Sequence, residues 1–444
     1  MSEILDFIGV GVGPFNLSLA CLTKPLNELN GIFFDKKEKF NWHPGMLLQD
    51  ATLQVPFMAD LVSLADPTSP LSFLNYLKQN GKIYSFYIRE NFYVLRNEYN
   101  QYCQWAIKQL DNIQFNIEVL QVYYNADESC YHVTTISAIT DEVITYQARK
   151  LILGTGTVPY IPDNCKHLKN DITHSSNYIN NKKTLQRKES ITIVGSGQSA
   201  AEIFYDLLQD IDTFDYELNW ITRSPRYFPL EYTKLTLEMT SPEYVDYFYN
   251  LPQYKRDILI KKQKHLYKGI NESLINDIYD LLYTKKITHP DMKVNLRTNS
   301  ALEKVSVDKA TKEFQLTFYQ QEQDKYYLKK TNGLILSTGY CYQAPNFIEG
   351  IKERIKWDNK GRYNVNRNYT IDHNESEIFI QNAELHTHGF VSPDLGMVCY
   401  KNAQIVKYLT GKEYYPIEKN IAFQQFEVCK EEELMEQKQF LELL

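Results

Sequence analysis

Hydrophobic and polar positions change period several times along this chain, and the changes mark its elements. Residues 4–40 read as strand, turn, helix, strand: an apolar run from Leu5 to Gly9, a helix from Asn16 through Cys21, then Ile32-Phe33-Phe34. A βαβ unit of this length suits a dinucleotide-binding fold. The stretch 42–70 is rich in Pro, Asp and Ser with little periodicity, which predicts a long ordered loop. Residues 71–78 and 99–110 read as helices, the second with Tyr102, Cys103, Ala106 and Ile107 on one face. From 113 to 153 the pattern alternates as in an antiparallel insert and ends in the apolar Leu151-Ile152-Leu153.

The second half repeats this logic. Residues 159–190, with Pro159, Pro162 and Asn180-Asn181, read as a linker, and 191–223 again as strand, turn, helix, strand. Residues 242–285 are polar and helical with many tyrosines, strand patterns return at 292–336, and the tail after Lys419 is charged and predicted helical, with acidic Glu431-Glu432-Glu433. No short-period repeat is present.

Composition narrows the class. Of 444 residues 43% are apolar and 23% charged, ordinary for a globular protein and enough for two or three domains. A net charge of −7 argues against nucleic acid as a partner. The seven cysteines are scattered and never spaced Cys-x-x-Cys. They fit neither a disulfide scaffold nor a zinc site, and point to a reducing compartment. No export signal precedes the first strand and no apolar run of about 18 residues occurs, so a cytoplasmic protein without a membrane span is expected.

Two glycine-rich turns carry the chemistry. In Ile8-Gly9-Val10-Gly11-Val12-Gly13-Pro14-Phe15-Asn16, the glycines Gly9, Gly11 and Gly13 allow a tight turn and close backbone approach to a pyrophosphate at a helix N-terminus. The third position of Gly-x-Gly-x-x-Gly falls on Pro14 or Asn16, depending on register. Asp35, ending the second strand, is placed to bind an adenosine ribose; together these favour FAD. The second turn, Gly195-Ser196-Gly197-Gln198-Ser199-Ala200, follows Ile191-Thr192-Ile193-Val194 and opens a helix containing Glu202. Arg223, with Arg226 nearby, stands where an NADH enzyme carries its ribose-binding acid and offers a fork for the 2′-phosphate of NADPH. Two dinucleotides on one chain suggest a flavin reduced by a nicotinamide cofactor.

With three further stretches, these residues resemble the flavin-dependent N-hydroxylating monooxygenases of siderophore biosynthesis, the ornithine, lysine and diamine N-monooxygenases. The stretches are Phe40-Asn41-Trp42-His43-Pro44-Gly45-Met46; Leu53-Gln54-Val55-Pro56-Phe57-Met58-Ala59-Asp60-Leu61 with Asp66-Pro67-Thr68-Ser69-Pro70; and Ser337-Thr338-Gly339-Tyr340 with Thr387-His388-Gly389. The resemblance spans nearly the whole chain in order. It implies an α/β fold of two Rossmann-like domains: FAD-binding 1–175 with 333–444, and NADPH-binding 176–230 with 288–332. A small helical insert at 231–287 closes an amine pocket between them. It further implies NADPH reduction of the flavin, a flavin hydroperoxide, and attack by a neutral primary amine, without a covalent nucleophile on the protein. Trp42, His43 and Gln54 are expected beside the flavin, Gln54 also positioning the nicotinamide. Gly195, Ser196, Gly197, Gln198, Ser199 and Glu202 are expected at NADP.

The chain departs from the amino-acid hydroxylases at one end of that pocket. The family's Phe-Leu-Lys-Asp-Leu lysine, which pairs with the substrate carboxylate, is replaced by Ala59. An Asn-Glu pair falls on Leu237-Glu238, and a third asparagine on Leu266. A carboxylate against Ala59, Leu237 and Leu266 would lose several kcal/mol of solvation. The implied substrate is therefore a decarboxylated amine, putrescine or cadaverine first and histamine as a variant. Asp394 and Glu238 are candidates for the distal ammonium, and Leu395 for the pocket wall. Rival readings are a lysine or ornithine hydroxylase with a rearranged carboxylate site, a two-dinucleotide reductase serving a partner protein, and a non-catalytic flavoprotein. A homo-oligomer, dimer or tetramer, is implied by the resemblance.

Overall fold

The computed structural model describes residues 4–433. Strand β1 (Leu5–Val10), helix α1 (Pro14–Thr23) and strand β2 (Gly31–Asp35) form the opening βαβ unit. After helix α2 (Arg96–Ile107) a three-stranded meander, 117–125, 130–137 and β3 (Val143–Leu153), returns to pair parallel with β1. Ile378–Ile380 adds a parallel strand on β3, completing a seven-stranded sheet. Alternation sorts its side chains: Phe7, Phe33 and Ile152 enter one apolar layer with α1 and α2, while Ile8, Val10, Phe34, Leu151 and Leu153 enter the layer on the other face.

The second sheet is wholly parallel, as expected of a sheet covered on both faces. Its central strands are β4 (Ser190–Val194), β5 (Glu217–Ile221) and β6 (Gly333–Leu336), with 173–174 and 294–297 at the edges. Helix α3 (Gln198–Gln209) covers one face with Ile203, Phe204 and Leu207. An antiparallel sheet of 300–307, 314–320 and 325–331 packs Val305, Leu316 and Phe318 on the other.

Helices α4 (Lys234–Leu237), α5 (Pro242–Asn250), 253–262 and α6 (Glu272–Thr288) form the insert. Ser241 caps α5, its Oγ accepting the Tyr244 N–H at 3.3 Å, and Pro242 occupies the first helical position, where its missing N–H costs nothing. Leu274, Ile275 and Ile278 of α6 pack on α3, whereas Tyr244, Val245 and Phe248 of α5 pack on Phe390, Val391 and Met397. The insert thus bridges both units. Helix α7 (Val398–Thr410) lies against α1.

Three expectations need correction. The FAD-unit limits 1–175 and 333–444 include 173–174 and 333–336, which hydrogen-bond in the second sheet. The supposed linker contains the helix Tyr178–Leu185, whose buried Tyr178 and Leu185 join the core of the second unit. The tail is not helical over its described part, 420–433; its remaining residues lie outside the described range. No helix among the described residues is long and apolar enough to cross a membrane.

Candidate active site

A cleft of about 1150 Å³ runs from the first glycine turn to the insert. At its first end β1 delivers Gly11 in a left-handed conformation (φ +87°), where a Cβ would stand 2.4 Å from Gly154 O. Gly13 is the extended N-cap of α1, and a Cβ there would meet no protein atom within 4 Å. Both line the cleft, so the space beside Gly13 is open to a ligand at the helix N-terminus. These features settle the register: the motif begins at Gly11 and its third position is Asn16. Asn16 Nδ2 donates to Gly11 O at 2.7 Å, bracing the turn, while its buried Oδ1 has no partner. Pro14 follows at the first helical position and also faces the cleft.

Gly9 needs a correction. It does not line the cleft; a Cβ there would stand 2.1 Å from Phe33 Cδ1, so it permits β1 and β2 to pack. Asp35 does reach the cleft, its Oδ2 accepting Val12 N–H at 2.8 Å and its Oδ1 Lys37 N–H at 2.9 Å. Two backbone donors fix the carboxylate at the end of β2, where a ribose diol would lie. Beside the turn Gly154-Thr155-Gly156, not singled out from sequence, follows β3 and lines the wall; Gly156 is left-handed with open space beyond it. An orphaned acceptor, an open glycine cradle, a helix N-terminus and a braced acid together fit a dinucleotide such as FAD.

Trp42 and His43 stand midway along the wall. His43 packs edge-on against both Trp42 and Tyr340, at 4.9 and 5.6 Å between ring centroids. Desolvation there, then the charges of Arg96 and Lys37, lower its ring to about 4, so the imidazole is neutral. Gln54, on the strand Thr52–Pro56, faces the cleft and links all three units. Its Nε2 donates to Asn271 Oδ1 of the insert at 2.8 Å, and Asn271 N–H donates to Gln198 Oε1 of α3 at 2.8 Å.

The second turn lies beside this junction. Gly195 (φ +152°) passes so close to Ser337 that a Cβ would stand 2.3 Å from its carbonyl oxygen, and Gly197 is the extended N-cap of α3. Gln198 and Ser199 reach the cleft, with Ser196 half-buried in the turn between the glycines. Glu202 does not; its carboxylate forks onto Arg96 Nη1 and Nη2 at 2.8 and 2.7 Å and accepts Gln198 Nε2 at 2.8 Å. The pair is largely buried and joins α2 of the first unit to α3, so Glu202 is an interdomain tie and not a cofactor contact. Arg223 is exposed at the end of β5, while Arg226 lies 4.6 Å over the Phe228 ring. Lys268, missed from sequence, has its carbonyl 3.6 Å from a Cβ placed on Gly197. Desolvation, then the charges of Lys264 and Arg223, pull its ammonium below the ordinary lysine range. Lys264, Lys268 and Arg223 thus lie close enough to repel one another, a group of charge that suits a phosphate more than a ribose, although none of the three lines the cleft.

The far part of the cleft is walled by the insert. Leu237, Leu266, Tyr267, Phe390, Asp394 and Leu395 all line it. Asp394 Oδ1 accepts Gly396 N–H at 2.7 Å, and burial raises its carboxyl above the usual range. Two other expected residues are elsewhere. Ala59 is buried in a turn closed by its N–H on Pro56 O at 3.0 Å and does not reach the cleft. Glu238 points away from it, accepting the N–H groups of Phe423 and Gln424 at 3.1 Å each. One group of metal-ligand residue types, Glu128, Cys130 and His132, occurs among the described residues, away from the cleft; Glu128 is taken up by His132 and Gln147.

Residues 3–342 match the family pattern of L-lysine 6-monooxygenase/L-ornithine 5-monooxygenase. A putrescine N-hydroxylase of Shewanella oneidensis is 55% identical over 426 residues, 96% of this chain and 85% of that protein. Among solved structures, the FAD-bound cadaverine monooxygenase of the desferrioxamine pathway of Erwinia amylovora is 56% identical, with a TM-score of 0.94 over 96% of this chain and 99% of that one. An ornithine N-hydroxylase of Kutzneria has the same fold at 24% identity, with a TM-score of 0.83 over 92% of this chain and 99% of that one.

Proposed function

The chain belongs to the lysine/ornithine N-monooxygenase family, and we propose that it N-hydroxylates a small aliphatic diamine, putrescine or cadaverine, with FAD, NADPH and dioxygen, in the making of a hydroxamate siderophore. The observation that carries the choice of substrate is the charge of the insert-walled part of the cleft. Asp394 and Glu231 line it, Glu231 with a carboxylate oxygen 3.2 Å from His265 Nε2, and among the described residues no lysine or arginine does, whereas Arg96, Lys36 and Lys37 line the remainder. An amino-acid carboxylate there would be unpaired; a second ammonium would be matched.

Gly11, Gly13 and Asp35 would hold FAD, which would supply the activation of dioxygen at the expense of NADPH. The protein's own part is positioning and desolvation. Asp394 orients the distal ammonium from a turn fixed by Gly396 N–H. Leu237, Leu266, Phe390 and Leu395 exclude water around the alkyl chain, and an apolar surrounding favours the neutral form of the reacting amine. Gln54, tied to Asn271 and through it to Gln198, fixes the nicotinamide turn against the flavin wall. Arg223 and Lys268 favour NADPH over NADH. The two relatives above at 55% and 56% identity are a putrescine N-hydroxylase and a cadaverine monooxygenase, which supports the same class here.

Free thiols at all seven cysteines support a reducing, cytoplasmic setting. The exposed row Tyr279, Tyr283 and Ile287, spaced by four on α6, supports a homo-oligomer. The deciding experiment is hydroxylamine formation by FAD-loaded protein with NADPH across putrescine, cadaverine, histamine, ornithine and lysine, with peroxide release in parallel. Diamine product alone is expected; efficient product from ornithine or lysine would overturn the reading.

A further inference from the structure

Past α7 the chain first holds to the FAD unit: Tyr415 OH donates to Leu22 O at 2.6 Å and Lys412 Nζ to Glu28 at 3.0 Å. It then crosses to the insert. Ile421 N–H donates to Glu243 Oε1 at 2.8 Å, and the N–H groups of Phe423 and Gln424 bind the two oxygens of Glu238 at 3.1 Å each. The Gln424 amide adds bonds to Leu235 O at 2.5 Å and Glu238 Oε2 at 2.9 Å, and the Phe426 ring stands edge-on to Tyr244 at 5.1 Å. A chain running from residue 415 to residue 421 spans at most about 20 Å, so the insert is tethered to the first unit.

The tether grips the weakest part of the pocket wall. Helix α4 has four residues and buries none of them. A helix so short does not hold itself, because nucleation is unfavourable without tertiary support. Yet Thr236, Leu237 and Thr240 face the cleft from this segment, and the carboxylates at its end and at the start of α5 are those the tail binds.

We propose that residues 421–426 form a strap that positions the Thr236–Thr240 wall of the amine pocket through Glu238 and Glu243, with Gln424 and Phe426 as positioning residues. This rests on the amine reading of the cleft. The test compares full-length, FAD-loaded wild type with the double variant Gln424→Ala, Phe426→Ala and with Phe426→Tyr. In the double variant the diamine KM is expected to rise about tenfold, the scale of one lost charge-assisted hydrogen bond. Its kcat, FAD content and rate of flavin reduction by NADPH should be unchanged, peroxide per NADPH should rise, and amide exchange over 234–245 should quicken. Phe426→Tyr keeps the edge contact and should behave as wild type. Unchanged KM and exchange in the double variant would overturn the proposal, as would loss of FAD and kcat together, the mark of a merely structural role. If wild type hydroxylated no amine, the substrate reading would fail instead, and the exchange measurement alone would decide whether the strap holds the wall.

Discussion

Asp394→Asn separates charge from shape in the amine site. The Oδ1 that accepts Gly396 N–H at 2.7 Å has a counterpart in the amide oxygen of asparagine, so the turn carrying Leu395 should persist. What disappears is the negative charge. The raised carboxyl pKa, caused by burial, shows that Asp394 gives up solvation in the free protein; an ammonium would restore that interaction. Removing one partner of a buried charge pair costs about 2–5 kcal/mol. Because Asp394 is only half-buried at the cleft wall, the low end applies, about 2–3 kcal/mol, or about 30- to 150-fold in kcat/KM for the diamine.

The decisive control is a monoamine of the same length. Butylamine fills the same alkyl groove and presents the same reacting nitrogen but has no distal ammonium, so its kcat/KM should change little in the variant. The double comparison, putrescine against butylamine in wild type and Asp394→Asn, isolates the coupling between carboxylate and ammonium. Steady-state hydroxylamine formation with a peroxide correction is the assay. An equal loss for both amines would mean that Asp394 serves only the turn, and no loss for either would place the distal ammonium elsewhere; each result refutes the assignment.

Acid should reproduce the variant: since burial raises the Asp394 carboxyl, protonation removes the negative charge at a higher pH than for a free carboxylate. The ratio of putrescine to butylamine kcat/KM should therefore fall as pH falls, and a pH-independent ratio would count against it. Arg223→Ala and Lys268→Ala should each raise the NADPH KM about tenfold and leave the NADH KM unmoved, by the loss of one charged partner to the 2′-phosphate; initial rates with both nucleotides check this. The glycines of the first turn should part ways. Gly13→Ala adds a methyl into open space and should lower FAD retention with little change in apoprotein melting. Gly9→Ala drives a Cβ into Phe33 and should destabilise by about 1–3 kcal/mol, read as a lower melting temperature.

How far such residues were legible depended on how local their geometry is. The glycine turns, Asp35 and the alternation of β1 and β2 are written in contiguous residues; Gly11, Gly13 and Asp35 line the cleft, while Gly9 packs against Phe33 instead. Glu238 and Glu202 show the limit. On a helix successive side chains diverge by about 100°, so Leu237 facing the cleft sends its neighbour Glu238 outward. Glu202, four residues into α3, turns instead to Arg96, a partner 106 positions away in sequence that carries no motif of its own. The tail failed differently: its charges suggested a helix, but the N–H groups of Ile421, Phe423 and Gln424 go to side-chain carboxylates of the insert, leaving no intrahelical ladder.

The two kinds of site therefore carry different evolutionary freedom in physical terms. Each nucleotide turn has one glycine that cannot change without collision: a Cβ at Gly11 or Gly195 meets backbone carbonyls at 2.4 and 2.3 Å, atoms that cannot swing aside. The amine end is assembled from side chains on separate segments, Leu237, Leu266, Phe390 and Asp394, each lining the cleft. Substituting one of these alters polarity without displacing backbone. A change of substrate within this architecture thus needs only the sign and placement of a few polar groups in the insert-walled end. On the proposed reading it is there, in the carboxylate of Asp394 with no lysine or arginine among the described residues lining that end, that a diamine is told from an amino acid.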